Sequence, residues 1–156
     1  MIKHLRIDHR LLHGQVVYSW LKSIDCNAII IANDAVVQDE TRSKLLMMSA
    51  PSDKKTIIRS LEAGAAILND ERNDKVKFFV IVESLEDAWQ LARKVAAVRS
   101  INVGSIRKTE GAESVNNAVF LNEEHKVILR NLVDMGIEIE ARQIADDVKI
   151  DLSGRL

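Results

Sequence analysis

Apolar positions in this chain follow two alternating rhythms, short runs of strand type and longer stretches in which apolar residues recur at helical spacing. Residues 3–8 read as a first strand and 14–22 as a helix. Residues 27–32 are a short, continuously apolar second strand, the kind a parallel sheet buries on both faces. A helix over 39–49 is stopped by Pro51, and a third strand over 55–58 leads into a helix over 61–68. The fourth strand, 76–82, is β-branched and aromatic at its centre. Ser84 stands where the next helix needs an N-cap, with Asp87 in the place of the capping-box acid. Leu85, Ala88, Trp89, Ala92, Val95 and Ala96 share one stripe of that helix, which sets Trp89 against the core. A fifth strand over 100–103 ends at Gly104, a sixth falls at 115–121, and a last helix over 123–135 is closed by Gly136. From 137 to 142 the alternation is strict, Ile137, Ile139 and Ala141 against Glu138, Glu140 and Arg142, as in a half-exposed strand near a sheet edge. Strands separated by helices imply right-handed crossovers. The fold class expected is α/β, one domain over residues 1–156 built on an open, mainly parallel sheet with helices on both faces and an antiparallel edge strand.

Composition narrows the function classes. The chain has 156 residues, 47% hydrophobic and 29% charged, with a formal net charge of −1, so it can bury a full core and shows no compositional footprint of nucleic-acid binding. The single Cys26 has no internal disulfide partner and no signal-peptide pattern opens the sequence, which points to the cytoplasm. No apolar stretch approaches the ~20 residues of a membrane span, so any link to a membrane is expected through another subunit.

In an open parallel sheet, ligands gather beyond the carboxyl ends of the strands. Residues 8–13, Asn33-Asp34, Glu83-Ser84 and Gly104-Ser105 all fall just after strands and are placed to share one rim. His13 stands out among them, because it precedes Gly14 and Gln15 at the start of a helix, where exposed N–H groups and the helix dipole favour an anion. Arg10, three residues earlier, adds a planar fork for phosphate oxygens. Both disfavour the imidazolium and so keep the ring a nucleophile, and both then stabilise an added phosphate. A phosphohistidine needs positioning and charge stabilisation, with no metal or cofactor required in principle. Asp8 reads in two ways, as a group that orients Arg10 or the imidazole or as a turn former at a strand end. Gly104-Ser105 with Arg107 is either a phosphate-facing loop or a simple turn, and Asn33-Asp34 either a rim contact or the start of the following segment. His9 is read as a rim residue that touches a partner; His4 and His125 are structural or surface residues, neither having a second ligand at metal spacing.

The run Arg6-Ile7-Asp8, Arg10, His13-Gly14-Gln15-Val16 resembles the active-site loop of the IIB components of the mannose–fructose–sorbose family of the sugar phosphotransferase system. His9 departs from that pattern, in which an acidic residue is more usual. Asn33-Asp34, Ala50-Pro51, Asn102-Val103-Gly104 and Gly136-Ile137-Glu138-Ile139-Glu140 extend the resemblance over nearly the whole chain. It implies that His13 receives a phosphoryl group on Nδ1 from a phosphorylated IIA domain and passes it to a sugar entering through IIC and IID membrane subunits. Mannose, fructose, sorbose and N-acetylgalactosamine are all handled in the family, and a homo-oligomer is compatible with it. The competing reading is a non-catalytic module whose rim holds a sugar phosphate or nucleotide; against it, the first strand is followed by no GxGxxG or Walker-type loop.

Overall fold

In the computed structural model, which describes residues 1–155, strand β1 (Ile2–Ile7) is followed by a π-helical turn (Val16–Trp20) that runs into the short helix α1 (Leu21–Ser23). Then β2 (Ala28–Ala32), α2 (Glu40–Met48), β3 (Lys55–Arg59), α3 (Leu61–Asn69), β4 (Phe78–Val82), α4 (Leu85–Lys94) and β5 (Ser100–Val103) alternate. The two-residue strands β6 (Glu113–Ser114) and β7 (Phe120–Leu121) lead to α5 (Glu123–Asp134), β8 (Glu138–Ala141) and β9 (Ile150–Asp151). The main sheet runs β3-β2-β4-β1-β5-β8-β9, parallel except for β9.

The period of two along each strand divides the core into two layers. Ala28, Ile30 and Ala32 of β2 and Phe78, Val80 and Val82 of β4 join Leu61 and Ala65 of α3, Leu85, Ala88 and Leu91 of α4, and Leu129 and Leu132 of α5. The opposite positions, Ile29 and Ile31, Phe79 and Ile81, face Leu11, Leu12, Val16, Trp20 and Leu21 of the first crossover and Leu46 of α2. Strand β1 obeys the same period with different chemistry. Leu5 and Ile7 enter the first layer, while His4 and Arg6 point into the second, where His4 stacks on Trp20 at 4.5 Å and the Arg6 guanidinium sits 5.4 Å from the Trp20 ring centre.

Three local expectations change. Residues 115–121 do not form one strand, because the Asn116 side chain accepts from the backbone N–H of Ala118 (2.8 Å) and Val119 (2.9 Å), a turn that leaves only the β6–β7 pieces. The helical stripe stops before Ala96, since Val95 turns extended (φ −122°, ψ 99°), and Leu91 fills the buried place instead. The first helix is broken by its π turn. As expected of a strand near the sheet edge, residues 138–141 pair parallel to β5 with only the short antiparallel β9 outside them. Trp89 is half-buried against the core with Arg93 over its ring at 5.1 Å.

Candidate active site

Connections leaving β1 run toward β2 on one side of the sheet, and those leaving β5 run toward β8 on the other. Where neighbouring strands part in this way a crevice opens at their carboxyl ends. The loop after β1 and the Gly104-Ser105 corner after β5 meet there, held by N–H bonds from Gly104 (2.8 Å) and Ser105 (3.2 Å) to the Ile7 carbonyl.

Asp8 is the hub of this crevice. Its carboxylate is buried and accepts from the Arg6 Nε (3.3 Å) and Nη2 (3.0 Å), the Arg10 backbone N–H (2.9 Å) and the Ser105 hydroxyl (3.1 Å). His13 Nε2 lies 2.9 Å from Asp8 Oδ2. Burial pushes the Asp8 carboxyl up, but the hydrogen bond from His13, the charge of Arg6 and the Arg10 N–H outweigh it and bring the group down to about 2. An ionised carboxylate only accepts, so the proton between the two belongs to Nε2 of the imidazole. In the neutral imidazole Nδ1 then keeps its lone pair. The ring is 17% exposed, enough for a reacting group to reach it.

The loop is shaped by its own apolar residues. Leu11, with φ 58°, occupies the left-handed region at a cost of about 1 kcal/mol. Its N–H closes a turn on the Asp8 carbonyl (2.9 Å), and the side chains of Leu11 and Leu12 are buried in the second layer. Helical geometry begins at Gly14, directly after His13. A Cβ at Gly14 would meet only the Tyr18 ring at 3.9 Å, so the start of the helix is bare on the solvent side. Arg10 is exposed and spends one Nη2 bond on Gln15 Oε1 (3.2 Å).

His9 is turned away from His13. Its Nδ1 meets the Ser105 hydroxyl at 2.6 Å, and burial holds the ring below the usual histidine range. It lines a recess of about 470 Å³ with Arg10, Arg107 and Lys108 that contains no acidic side chain. Ser105 thus touches Asp8 and His9 at once and joins β5 to the loop of β1.

The other rim residues are engaged elsewhere. Asn33 accepts from the Val36 N–H (2.9 Å) and donates to Glu83 Oε2 (2.6 Å); Asp34 accepts from the Leu61 N–H (2.9 Å); Ser84 caps α4 through the Asp87 N–H (3.1 Å). Among the described residues no hydrogen bond joins them to His13 or Asp8, although Ser84 and His9 line a common recess of about 390 Å³. His125 serves the capping box of α5 with Asn122. Burial raises the Cys26 thiol, which sits away from this rim in the second core layer. Among the described residues no group of three His, Cys, Asp or Glu side chains is placed to hold a metal ion.

The sequence reading gave no role to Arg6 or Asn102, both buried at the base of the site. The signal available was the alternation His4, Arg6, Asp8 on a central strand, where a buried charge requires partners.

The chain is similar to known proteins along nearly its whole length. A probable phosphotransferase enzyme IIB component of Streptococcus pyogenes serotype M6 is 30% identical over 159 residues, covering 98% of both chains. The crystal structure of the IIBSor domain of the sorbose permease from Klebsiella pneumoniae superposes with a TM-score of 0.92 at 29% identity, over 99% of this chain and 95% of that one. The mannose-specific EIIAB component of Escherichia coli matches at 29% identity over 94% of this chain, which corresponds to 46% of that longer protein. The family described as PTS system sorbose subfamily IIB component matches residues 2–156. This chain therefore belongs to the sorbose-subfamily IIB components of the sugar phosphotransferase system, a family of phosphotransferases.

Proposed function

We propose that residues 1–156 act as one phosphotransfer domain in which Nδ1 of His13 carries the phosphoryl group between a phosphorylated IIA donor and a sugar. The observation that carries this reading is the 2.9 Å contact between His13 Nε2 and Asp8, a buried carboxylate held ionised. It holds the proton on Nε2 and leaves Nδ1 as the nucleophilic nitrogen of a partly exposed ring. In the first step the Nδ1 lone pair attacks the donor's phosphorus as the donor's N–P bond breaks, its electron pair returning to the donor imidazole. In the second, a sugar hydroxyl oxygen attacks, the bond from Nδ1 to phosphorus breaks with its pair returning to Nδ1, and the hydroxyl proton passes to solvent.

Asp8 keeps the Nε2 proton in place through both steps, so the imidazole neither drifts between tautomers nor rotates. Arg10, Gly14 and Gln15 are placed by sequence next to the transferred group, where a guanidinium fork and backbone N–H groups stabilise equatorial oxygens. Ser105 positions Asp8. The joined name of the EIIAB relative supports a IIA partner that meets this domain directly. No helix among the described residues is long and apolar enough to cross a membrane, and we place the protein in the cytoplasm, held at the inner face of the membrane by IIC and IID subunits. Incubation with phosphorylated donor should give a single base-stable, acid-labile adduct on His13, and phosphorus and nitrogen NMR should show the Nδ1 isomer. An Nε2 isomer would refute the role given to Asp8; absence of any covalent label would favour a simple binding module.

A further inference from the structure

Arg6 occupies a position that phosphate chemistry does not explain. Its side chain is fully buried, and all five of its guanidinium N–H groups are used. Nε and one Nη2 hydrogen go to Asp8 Oδ2 (3.3 and 3.0 Å); the other Nη2 hydrogen goes to the Gln143 carbonyl (2.9 Å). The Nη1 pair goes to Asn102 Oδ1 (2.8 Å) and the Arg142 carbonyl (3.3 Å). No donor remains for a ligand. The sheet register makes this possible, because Arg6 of β1, Asn102 of β5 and Glu140 of β8 stand in one row across three parallel strands. Asn102 passes the chain of bonds on to Glu140 Oε1 (3.2 Å). The backbone has been cleared for it as well: a Cβ at Gly104 would lie 2.1 Å from Arg6 Cζ, so that corner must be glycine while Arg6 is in place.

Resting on the assignment of His13 as the phosphoryl carrier, we infer that Arg6 is a positioning residue for phosphoryl transfer: it grips Asp8 from beneath, and through Asp8 sets the tautomer and orientation of His13. The same guanidinium holds the carbonyls of residues 142 and 143, and Trp20 Nε1 donates to the second of these (2.9 Å). Arg6 therefore locks the segment after β8 to the histidine loop as one body. Without it, Asp8 would keep the Arg10 N–H, the Ser105 hydroxyl and His13, and would lose its only buried cation.

The groups facing Asp8 are Arg6, His9, Arg10 and His13 from β1 and its loop and Ser105 from beyond β5; those facing Arg6 are His4, Arg10, Asn102, Glu140 and the Arg142 carbonyl, with the Trp20 ring against the guanidinium face. The test is made on the full chain with ¹⁵N-labelled histidine and arginine and purified phospho-donor. In wild-type protein at neutral pH, His13 should show the proton on Nε2, and the Arg6 Nε resonance should move when His13 is phosphorylated. Arg6→Met should give mixed tautomers, at least tenfold slower acceptance from the donor, and an acid limb of the rate profile moved to higher pH. Arg6→Lys, which restores a cation beneath Asp8 without the two-point grip, should recover part of the rate and most of the pH profile. A purely structural Arg6 would lower the melting temperature of both variants while leaving tautomer and pH profile as in wild type, and that result overturns the inference. Should Arg6→Met fail to fold, Arg6→Lys and the wild-type Arg6 resonance decide alone, an unmoved resonance counting against it. Labelling of His13→Ala by the donor would instead overturn the assignment of the carrier itself.

Discussion

Two aspartates on the same rim of the sheet, Asp8 after β1 and Asp87 at the start of α4, are pushed in opposite directions. Burial raises both. At Asp8 the His13 hydrogen bond, the Arg6 charge and the Arg10 N–H reverse that effect and leave the group at about 2. At Asp87 the carboxylates of Glu83, Asp34 and Glu86 add to it, the Ser84 bond opposes it weakly, and the group stands at about 6. A half-buried acid is thus no mark of a reactive site by itself. What separates the two is whether the neighbours leave the acid as a dependable acceptor, and whether one atom of the group it holds remains free to react. At the β1 end that atom is Nδ1 of His13; at the α4 end Asn33, Asp34 and Ser84 spend their bonds on holding turns and helix starts.

The sharpest way to break this contrast is to remove the free atom. His13→Ala should abolish phosphoryl acceptance altogether, measured by intact mass after incubation with the donor, while lowering stability by only about 1 kcal/mol, since Asp8 keeps its other donors. Labelling of the variant would show that the contrast had been drawn at the wrong residue.

Next in size is Arg10→Lys. The guanidinium is exposed and tied only to Gln15, so the change should leave the fold untouched. Lysine keeps the charge and loses the bidentate fork. Acceptance from the donor should survive, whereas delivery to sugar should slow on the order of a hundredfold, the equivalent of ~3 kcal/mol in the transition state. Both half-reactions measured with purified partners check it, and equal impairment of the two would make Arg10 a loop residue.

Much of this contrast was legible in the residues and some was not. Strands that are apolar throughout, such as β2 and β4, and helices with a Ser cap or a Pro stop declare themselves through local chemistry. His13 was legible because an anion-binding helix start has a local signature. The direction of Asp8 was not, because Ser105 lies 97 residues away from it, and Arg6, which grips it directly, is itself held by Asn102 and the carbonyls of Arg142 and Gln143 from across the sheet. The same holds in reverse for Asn33, Asp34 and Ser84. Strand-end positions place them on the rim, yet their partners Glu83, Val36, Leu61 and Asp87 decide what they do there. The left-handed Leu11 had no signal at all, since a buried leucine with φ 58° is held by tertiary packing against its own preference. The alternation of residues 137–142 was read as a core side and a solvent side. Glu138 does face solvent, but Glu140 and Arg142 are half-buried, joined at 3.2 Å and bound to Asn102, so period two reports facing but not what faces it.

A smaller change probes the quiet end of the rim. Asn33 is 3% exposed and makes two bonds that tie the loop after β2 to Glu83 and to the Val36 N–H. Asn33→Ala should cost about 2 kcal/mol of unfolding free energy by leaving the Val36 N–H without a partner and the Glu83 carboxylate with Arg42 alone. Phosphoryl acceptance at a temperature where the variant is folded should match wild type. A slowed reaction without lost stability would return Asn33 to the phosphate site and erase the division between the two ends.

The smallest effect, and the one that tests the division by charge alone, is the pH dependence of Asp87→Asn. In the folded protein the group stands at about 6, above the ordinary aspartate value of 3.8 that the unfolded chain provides. The folded state therefore holds more protons between those two values, and by linkage the stability contributed by protonated Asp87 is present below pH 3.8 and is lost as pH rises through 6. Replacing the acid by its neutral isostere should be without effect near pH 4 and should stabilise the protein at pH 7, on the order of 1 kcal/mol once solvent screening is allowed for. Other groups run the opposite way: burial, together with Arg6, Arg142 and Lys149, brings His4 down to about 3, so its contribution is present above 6.5 and fades on acidification. Asp8 likewise loses its contribution as pH falls toward 2. The comparison is thus made between variant and wild type by urea unfolding at each pH, where His4 and Asp8 cancel and only Asp87 differs. A stabilisation of equal size at pH 4 and pH 7 would mean that the carboxylates of Glu83 and Asp34 do not govern Asp87, and that the two ends of the rim differ in hydrogen bonding but not in charge.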